Sequence, residues 1–189
     1  MILKQNQAEL ILINSAGKIE DRKDNLKMSQ TSWWKGARGE WYVVAQVVLL
    51  ALVVFGPRTG SGWPTWTSPY TQLGSIGGGA LLLLGGLLVV TGIFRMGANL
   101  TAVPYPKEQA TLIETGPYQL VRHPMYSGAI LMALGWGLWV HGWLTISYAL
   151  ILLVFFDIKA RREEQWLKAK FSGYAAYQKH VRKLIPFIY

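Results

Sequence analysis

The stretch GPYQLVRHPMYSG, residues 116–128, lies where a polar connection meets a long apolar run. It holds a guanidinium, an imidazole and two phenols within thirteen residues. Proline is favoured in the first turn of a helix, where its missing N–H would be unpaired anyway, so Pro124 predicts a helix that starts directly after His123. We expect this stretch to place polar chemistry at the end of an apolar helix.

The composition is typical of a membrane protein. Hydrophobic residues make up 51% of the 189-residue chain, and the mean hydropathy is +0.23, both higher than a soluble domain normally shows. The net charge of +9 accompanies nine tryptophans and long apolar runs. These runs need lipid, so we expect the basic residues to face an anionic membrane surface and not nucleic acid.

Cysteine is absent, which excludes a disulfide scaffold and a cysteine nucleophile. The three histidines, His123, His141 and His180, are far apart and show no HExxH spacing. The sequence therefore predicts no metal site.

The apolar runs predict an all-α integral membrane bundle of about four transmembrane helices plus a C-terminal interfacial helix. The spans cover about 38–56, 72–95, 126–140 and 143–157, within a membrane domain of residues 37–189. Residues 1–36 form a polar leader, in which Met28 is a second possible start.

Details of these runs predict how the helices pack. The last two spans are short and separated only by His141 and Gly142, which indicates a tight hairpin. Gly74 and Gly78 form a GxxxG pair, typical of close helix packing in lipid. The charged segment after residue 157 predicts a membrane-surface helix with a break near Gly173.

The basic residues predict which side of the membrane each segment occupies. Of nineteen, seven lie at or before Arg38, three lie between Arg95 and Arg122, and eight lie at or after Lys159, which leaves Arg58 alone on the other side. Since Lys and Arg concentrate on the cytoplasmic side, both termini and the polar connection should be cytoplasmic. Residues 99–128 and 157–189 can then close one pocket.

Two clusters could carry chemistry. Arg122 and His123 could equally be an ordinary helix start, with the arginine reaching the interface. On a helix Lys159 and Glu163 are neighbours, while Glu164 points about 100° away, so they could equally form a solvated ion-pair face. A carboxylate at the membrane edge beside Trp166 would hold a cationic ligand group by charge and ring face together.

Several motifs together resemble the isoprenylcysteine carboxyl methyltransferase family and its bacterial relatives. They are TLIETGPY at 111–118, RHPMYSG at 122–128, EEQWL at 163–167, Tyr174 and Tyr177, and IPFI at 185–188. RHPxYxG alone is shared with phospholipid N-methyltransferases and sterol-reductase-like enzymes, whereas the combination with EExxL and IPFI is more specific. The resemblance covers about half the chain.

This resemblance implies a methyltransferase that binds S-adenosylmethionine on the cytoplasmic side and receives a lipophilic acceptor from the bilayer. By position, the cofactor contacts are Thr111, Leu112, Ile113, Tyr118, His123, Pro124, Met125, Tyr126 and Glu163. The catalytic candidates are Lys159, Arg161 and Glu163.

Two positions depart from the family pattern. Lys159 stands where the family usually has an arginine that orients the acceptor's carboxylate, and lysine lacks the bidentate fork, so Arg161 is a substitute candidate. The stretch from Phe171 to Tyr174 is one residue shorter than its FGxxYxxY counterpart.

The expected reaction is O-methylation of an isoprenylcysteine-like carboxylate, which needs alignment more than a base. The alternatives are methylation of a phospholipid amine, a thiol or another lipid, an NADPH-dependent reductase of the sterol-reductase type, and a non-catalytic membrane protein.

Overall fold

The computed structural model describes residues 38–186, 188 and 189. The predicted leader at 1–36 and Phe187 of the terminal motif lie outside the described residues. The chain divides into two units, Met1–Glu40 and Trp41–Tyr189, and the hydrophobic core lies in the second.

Helices make up the regular structure of the described residues. The α-helices are α1 (Glu40–Phe55), α2 (Tyr70–Met96), α3 (Pro124–Trp139), α4 (Trp143–Lys170) and α5 (Tyr174–His180). Two 3₁₀ helices, Gly97–Asn99 and Gly116–Gln119, lie between α2 and α3. Strand pairing in the described part is limited to an isolated bridge between Val121 and Arg182, so the predicted all-α class is confirmed.

The four longer helices match the predicted spans to within two residues, except at the end of α4. Among the described helices, α2 and α4 are long and apolar enough to cross a membrane. Helices α1 and α3 have 16 residues each, about 24 Å, so they need a thinned bilayer or anchoring side chains to cross. Crossing by all four helices stays a prediction.

The structure corrects the boundary near residue 157, where the sequence predicts a separate surface helix. Helix α4 continues unbroken from Trp143 to Lys170. This segment contains no proline or glycine, and the ion pair between Asp157 and Arg161, 2.7 Å long, crosses the expected boundary within one helix. The end of α4 therefore carries its charged side chains beyond the apolar part. The predicted break near Gly173 is confirmed, since α5 starts at the next residue.

Glycines bring α2 and α3 into close contact. A Cβ atom at Gly78 would lie 2.6 Å from the carbonyl oxygen of Gly135, and one at Gly85 would lie 2.5 Å from that of Gly128. Such approach is possible only where side chains are absent. Gly74 is buried on the same face, so the predicted packing role of these glycines is confirmed.

The predicted hairpin joins α3 to α4 through Val140, His141 and Gly142. His141 has a left-handed backbone (φ 53°), and its Nε2 lies 2.9 Å from the carbonyl oxygen of Thr71. Beyond this turn, Ile130 and Ala133 of α3 belong to one buried cluster with Leu152 and Phe156 of α4. The hairpin thus fixes α3 beside α4.

Replacement of Gly85 by alanine should destabilise the bundle. The new methyl group meets backbone, which cannot move aside, and overpacking of this kind costs about 1–3 kcal/mol. The measurement is the thermal melting temperature in detergent. Gly86→Ala is the matched control, because nothing lies within 4 Å of a Cβ there. Equal melting temperatures for the two variants would contradict this packing.

Candidate active site

A cavity of about 290 Å³ lies at the end of the bundle where α3 begins. Its walls come from α1 to α5 and from the connection between α2 and α3. The structure brings together in its lining nearly all of the predicted site residues: Thr111, Leu112, Ile113, Tyr118, His123, Pro124, Met125, Tyr126, Lys159 and Glu163.

Arg161 is the exception. It does not line the cavity, its side chain is 64% exposed, and its guanidinium contacts Asp157 and, at 3.0 Å, the hydroxyl of Tyr189. On α4 it lies two residues after Lys159, about 200° around the helix, so the two cannot face the same cavity. The suggestion that Arg161 substitutes for Lys159 is therefore not supported.

Trp166 also lies outside the cavity lining. Its ring is covered by the guanidinium of Arg162 at 4.7 Å and by the ring of Tyr105 at 5.6 Å. It serves to dock the connection between α2 and α3 onto α4. The expected ring face beside a carboxylate is supplied by Tyr126 instead.

Tyr126 is the middle ring of an aromatic stack in the cavity wall. It lies parallel to His123 at 5.3 Å and to Phe156 at 4.7 Å. Its hydroxyl donates a 2.7 Å hydrogen bond to Glu163, and the ammonium of Lys159 lies 5.0 Å from the ring centre. The stack holds the Glu163 carboxylate at the cavity wall with its side chain still 18% exposed.

Glu164, which the sequence indicated could be solvated, is buried and central. One carboxylate oxygen accepts from Arg122 Nε at 2.8 Å and lies 3.2 Å from His123 Nε2. The other accepts from the amide of Gln178 at 2.8 Å. The sequence did contain a signal for this buried contact. The EExxL motif has two consecutive acids, and the RHPxYxG motif has two consecutive basic residues, Arg122 and His123, that could pair with them.

Arg122 also anchors α5. Its Nη1 donates to the carbonyl oxygens of Gln178 and Val181, which the end of α5 leaves without helical partners. Beyond α5, the chain runs beside the motif: Arg122 N–H donates to Arg182 O at 2.8 Å, and His123 N–H donates to Lys183 O at 3.1 Å. The C-terminal segment is thereby built into the site.

Tyr174 lines the cavity and has a buried hydroxyl. The residue is 2% exposed, and the hydroxyl has no hydrogen-bond partner among the described residues. Burial raises the pKa of this hydroxyl, and the charge of Glu164 raises it further, so it stays protonated at neutral pH. By contrast, the hydroxyl of Tyr177 is satisfied by the carbonyl oxygen of Tyr118 at 2.5 Å. A buried donor without a partner is costly, so this hydroxyl is a group that a bound ligand or water can satisfy.

The connection between α2 and α3 is held over the cavity by Asn99, which the sequence analysis missed. Its side chain makes three hydrogen bonds of 3.2 Å with the backbone and hydroxyl of Thr111. These hydrogen bonds fix the start of the segment 111–113 in the cavity lining.

The fold and the site together define a helical membrane protein whose pocket combines a carboxylate, aromatic rings and an unpaired donor. Residues 73–173 match the family model described as phospholipid methyltransferase, and the chain belongs to this family.

Among curated proteins, the chain is similar to protein-S-isoprenylcysteine O-methyltransferase B of Arabidopsis thaliana, with 27% identity over 77% of this chain and 72% of that protein. It is also similar to the cobalt-zinc-cadmium resistance protein CzcN of Cupriavidus metallidurans, with 31% identity over 78% of this chain and 62% of that protein. The family model and the match to the Arabidopsis methyltransferase confirm the predicted family and the predicted class of enzyme, a methyltransferase.

A solved structure shows the same fold. It is a eukaryotic intramembrane Ras methyltransferase, isoprenylcysteine carboxyl methyltransferase, with a TM-score of 0.56 and 24% identity over 78% of this chain. The chain spans about half the length of that protein, 51%. The likeness confirms the prediction that the chain folds as a membrane helical bundle.

Replacement of Glu164 by glutamine should destabilise the whole site end of the bundle. The variant keeps the shape but leaves the Arg122 guanidinium buried without a counter-charge, and breaking a buried pair costs about 3–5 kcal/mol. Thermal unfolding in detergent measures the loss. Arg161→Gln is the control, because its ion pair with Asp157 is exposed and should contribute little. An equal effect of the two substitutions would show that Glu164 is not the central contact.

Proposed function

We propose that this chain is an S-adenosylmethionine-dependent membrane methyltransferase that methylates the carboxylate of a lipophilic, isoprenylcysteine-like acceptor. One observation carries the proposal: a single cavity is lined both by the predicted cofactor residues and by residues within the apolar helices, Gln46, Val89, Ala129 and Phe156. A water-soluble donor and a lipid acceptor can therefore meet there.

The residues present fit the cofactor. Glu163 suits a cationic group, because a carboxylate attracts positive charge and this side chain is still 18% exposed in the cavity lining. The unpaired hydroxyl of Tyr174 offers a hydrogen bond that nothing described in the protein takes. When bound, S-adenosylmethionine supplies an electrophilic methyl group, whose transfer to a carboxylate oxygen moves no proton.

In this proposal His123 is part of the cavity lining and is not a general base. One face of its ring is stacked on Tyr126, its Nε2 lies 3.2 Å from Glu164 and its Nδ1 lies 3.8 Å from Glu163, so both nitrogens are directed at carboxylates of the protein itself. A carboxylate acceptor carries no proton to remove. What the site supplies is alignment of two bound reactants, which can lower a barrier by several kcal/mol, about 7–11 in the best cases.

Lys159 favours an anionic acceptor. It is 2% exposed, lines the cavity and lies within its own helix one turn from Glu163. A buried ammonium attracts a carboxylate and repels an alkylammonium. Methylation of a phospholipid amine, which the family model's description suggests, is the second candidate, and this lysine disfavours it.

The proposed topology places the site on the cytoplasmic face of the membrane. The segments that surround the cavity contact one another at one end of the bundle: Lys170 on α4 donates to Glu108 O at 2.8 Å, and Tyr105 packs on Trp166. These segments also carry most of the basic residues after Arg58. With four crossing helices, the positive-inside rule puts this end, and both termini, inside.

The purified protein in detergent should bind S-adenosylhomocysteine and transfer a labelled methyl group to N-acetyl-S-farnesylcysteine but not to phosphatidylethanolamine. Glu163→Gln should weaken S-adenosylhomocysteine binding about 10- to 100-fold, the effect of losing one charged hydrogen bond of about 1.5–3 kcal/mol. Calorimetry and methyl-transfer counting measure the two effects.

Glu108→Gln is the matched control, since Glu108 does not line the cavity. Label on the amine lipid and not on the carboxylate would replace the proposed acceptor with the second candidate. Unchanged binding in Glu163→Gln would remove Glu163 from the cofactor site.

Tyr174→Phe should separate stability from binding. Removal of a buried, unpaired hydroxyl costs the ligand-free protein nothing and can stabilise it by about 1 kcal/mol, yet it removes a donor to the cofactor. We expect an unchanged or higher melting temperature with weaker S-adenosylhomocysteine binding. Tyr177→Phe is the comparison: it loses the bond to Tyr118 and should lower the melting temperature. A Tyr174→Phe protein that binds normally would assign the hydroxyl no role.

A further inference from the structure

Gln46 is an unusual residue in α1. Apart from Gln46, all side chains of this helix from Val43 to Phe55 are apolar. A polar amide is costly in a membrane helix unless it has a partner, and such residues mark functional contacts. Gln46 faces the cavity, which it lines together with Lys159 and Tyr126.

The amide has a specific partner. Lys159 Nζ donates a 2.5 Å hydrogen bond to Gln46 Oε1, which occupies one lone pair of the amide oxygen. The amide nitrogen of Gln46 has two N–H groups, and the ammonium of Lys159 has two left after this bond. The pair therefore offers a ligand four hydrogen-bond donors and one remaining acceptor lone pair.

The two helices that carry this pair also form an apolar groove. It is lined by Leu49 of α1 and by Leu150, Ile151, Val154, Phe155 and Ile158 of α4. Leu49 lies one helical turn from Gln46, and Ile158 is the neighbour of Lys159 in the chain. The same pair of helices thus offers a polar pair inside the cavity and an apolar surface that suits an aliphatic chain.

We propose that Gln46 is a specificity-determining residue for the acceptor: with Lys159 it forms a cationic site made mainly of hydrogen-bond donors, which takes an anionic head group attached to an aliphatic chain. Gln46 contributes twice. Its oxygen fixes the ammonium over the Tyr126 ring, and its amide N–H groups add a second donor beside the ammonium. Together they replace the two-point contact that a single arginine would give a carboxylate. The assignment rests on the proposed methyl transfer to a carboxylate, and it names the residue that selects for it.

The test is equilibrium binding to protein saturated with S-adenosylhomocysteine, using N-acetyl-S-farnesylcysteine as the free acid and as its methyl ester. The wild type should bind the acid more tightly than the ester. Gln46→Glu keeps an oxygen for Lys159 but puts a negative charge where the amide N–H groups were. It should weaken binding of the acid about tenfold or more and leave the ester and S-adenosylhomocysteine unchanged.

Gln72→Glu is the matched control, because Gln72 is exposed on α2 and does not line the cavity. Gln46→Asn is the second variant. Its shorter amide withdraws from Lys159 without adding charge, so it should cause a smaller loss, again confined to the acid.

The outcomes are distinct. Unchanged acid binding in Gln46→Glu, or an equal loss for acid and ester, would overturn the assignment, since the latter is what a structural role predicts. If the wild type binds the free acid more tightly than the ester but transfers no methyl group, the proposed reaction is contradicted and the assignment of Gln46 is not. If Gln46→Glu loses S-adenosylhomocysteine binding as well, Gln46→Asn decides in the same way.

Discussion

The carboxylate of Glu164 is the contact on which the site end of the protein depends. It joins the motif before α3, through Arg122 and His123, to α4 and, through Gln178, to α5. Because the group is buried, each of its bonds is stronger than at a surface, and each is costly to leave unmade. Three segments distant in sequence are thereby given one relative position, and the cavity is the space that they leave between them.

The two consecutive acids near the end of α4, Glu163 and Glu164, have different surroundings because of helix geometry. Consecutive helical residues point about 100° apart, so Glu164 faces the protein while Glu163 faces the cavity. Both carboxylate oxygens of Glu164 are hydrogen-bonded within the protein. The carboxylate of Glu163 accepts one hydrogen bond, from the Tyr126 hydroxyl, and has room for a ligand. His123 lies between the two acids, with Nε2 3.2 Å from Glu164 and Nδ1 3.8 Å from Glu163.

Much of this arrangement could be predicted from the sequence, because its signals are local. Apolar runs located α1, α2 and α3, and Pro124 marked the start of α3. The RHPxYxG and EExxL motifs named three central polar residues of the cavity lining, His123, Tyr126 and Glu163. What failed depended on orientation and on distant partners. The charge at Asp157 looked like a helix boundary but lies within α4, and Arg161 turned out to face away from the cavity. Gln46 and Asn99 carry no motif, and only the fold brings them to Lys159 and Thr111.

The pairing of residues 182–183 with Arg122 and His123 has a consequence for biosynthesis. Helices α1 to α4 precede this segment in the chain, so they are synthesised before the segment that pairs with Arg122 and His123. A chain interrupted after α4 would lodge in the membrane with Arg122 lacking its carbonyl partners at Gln178 and Val181. The pocket therefore reaches the arrangement described here only after residues 182–183 have been synthesised.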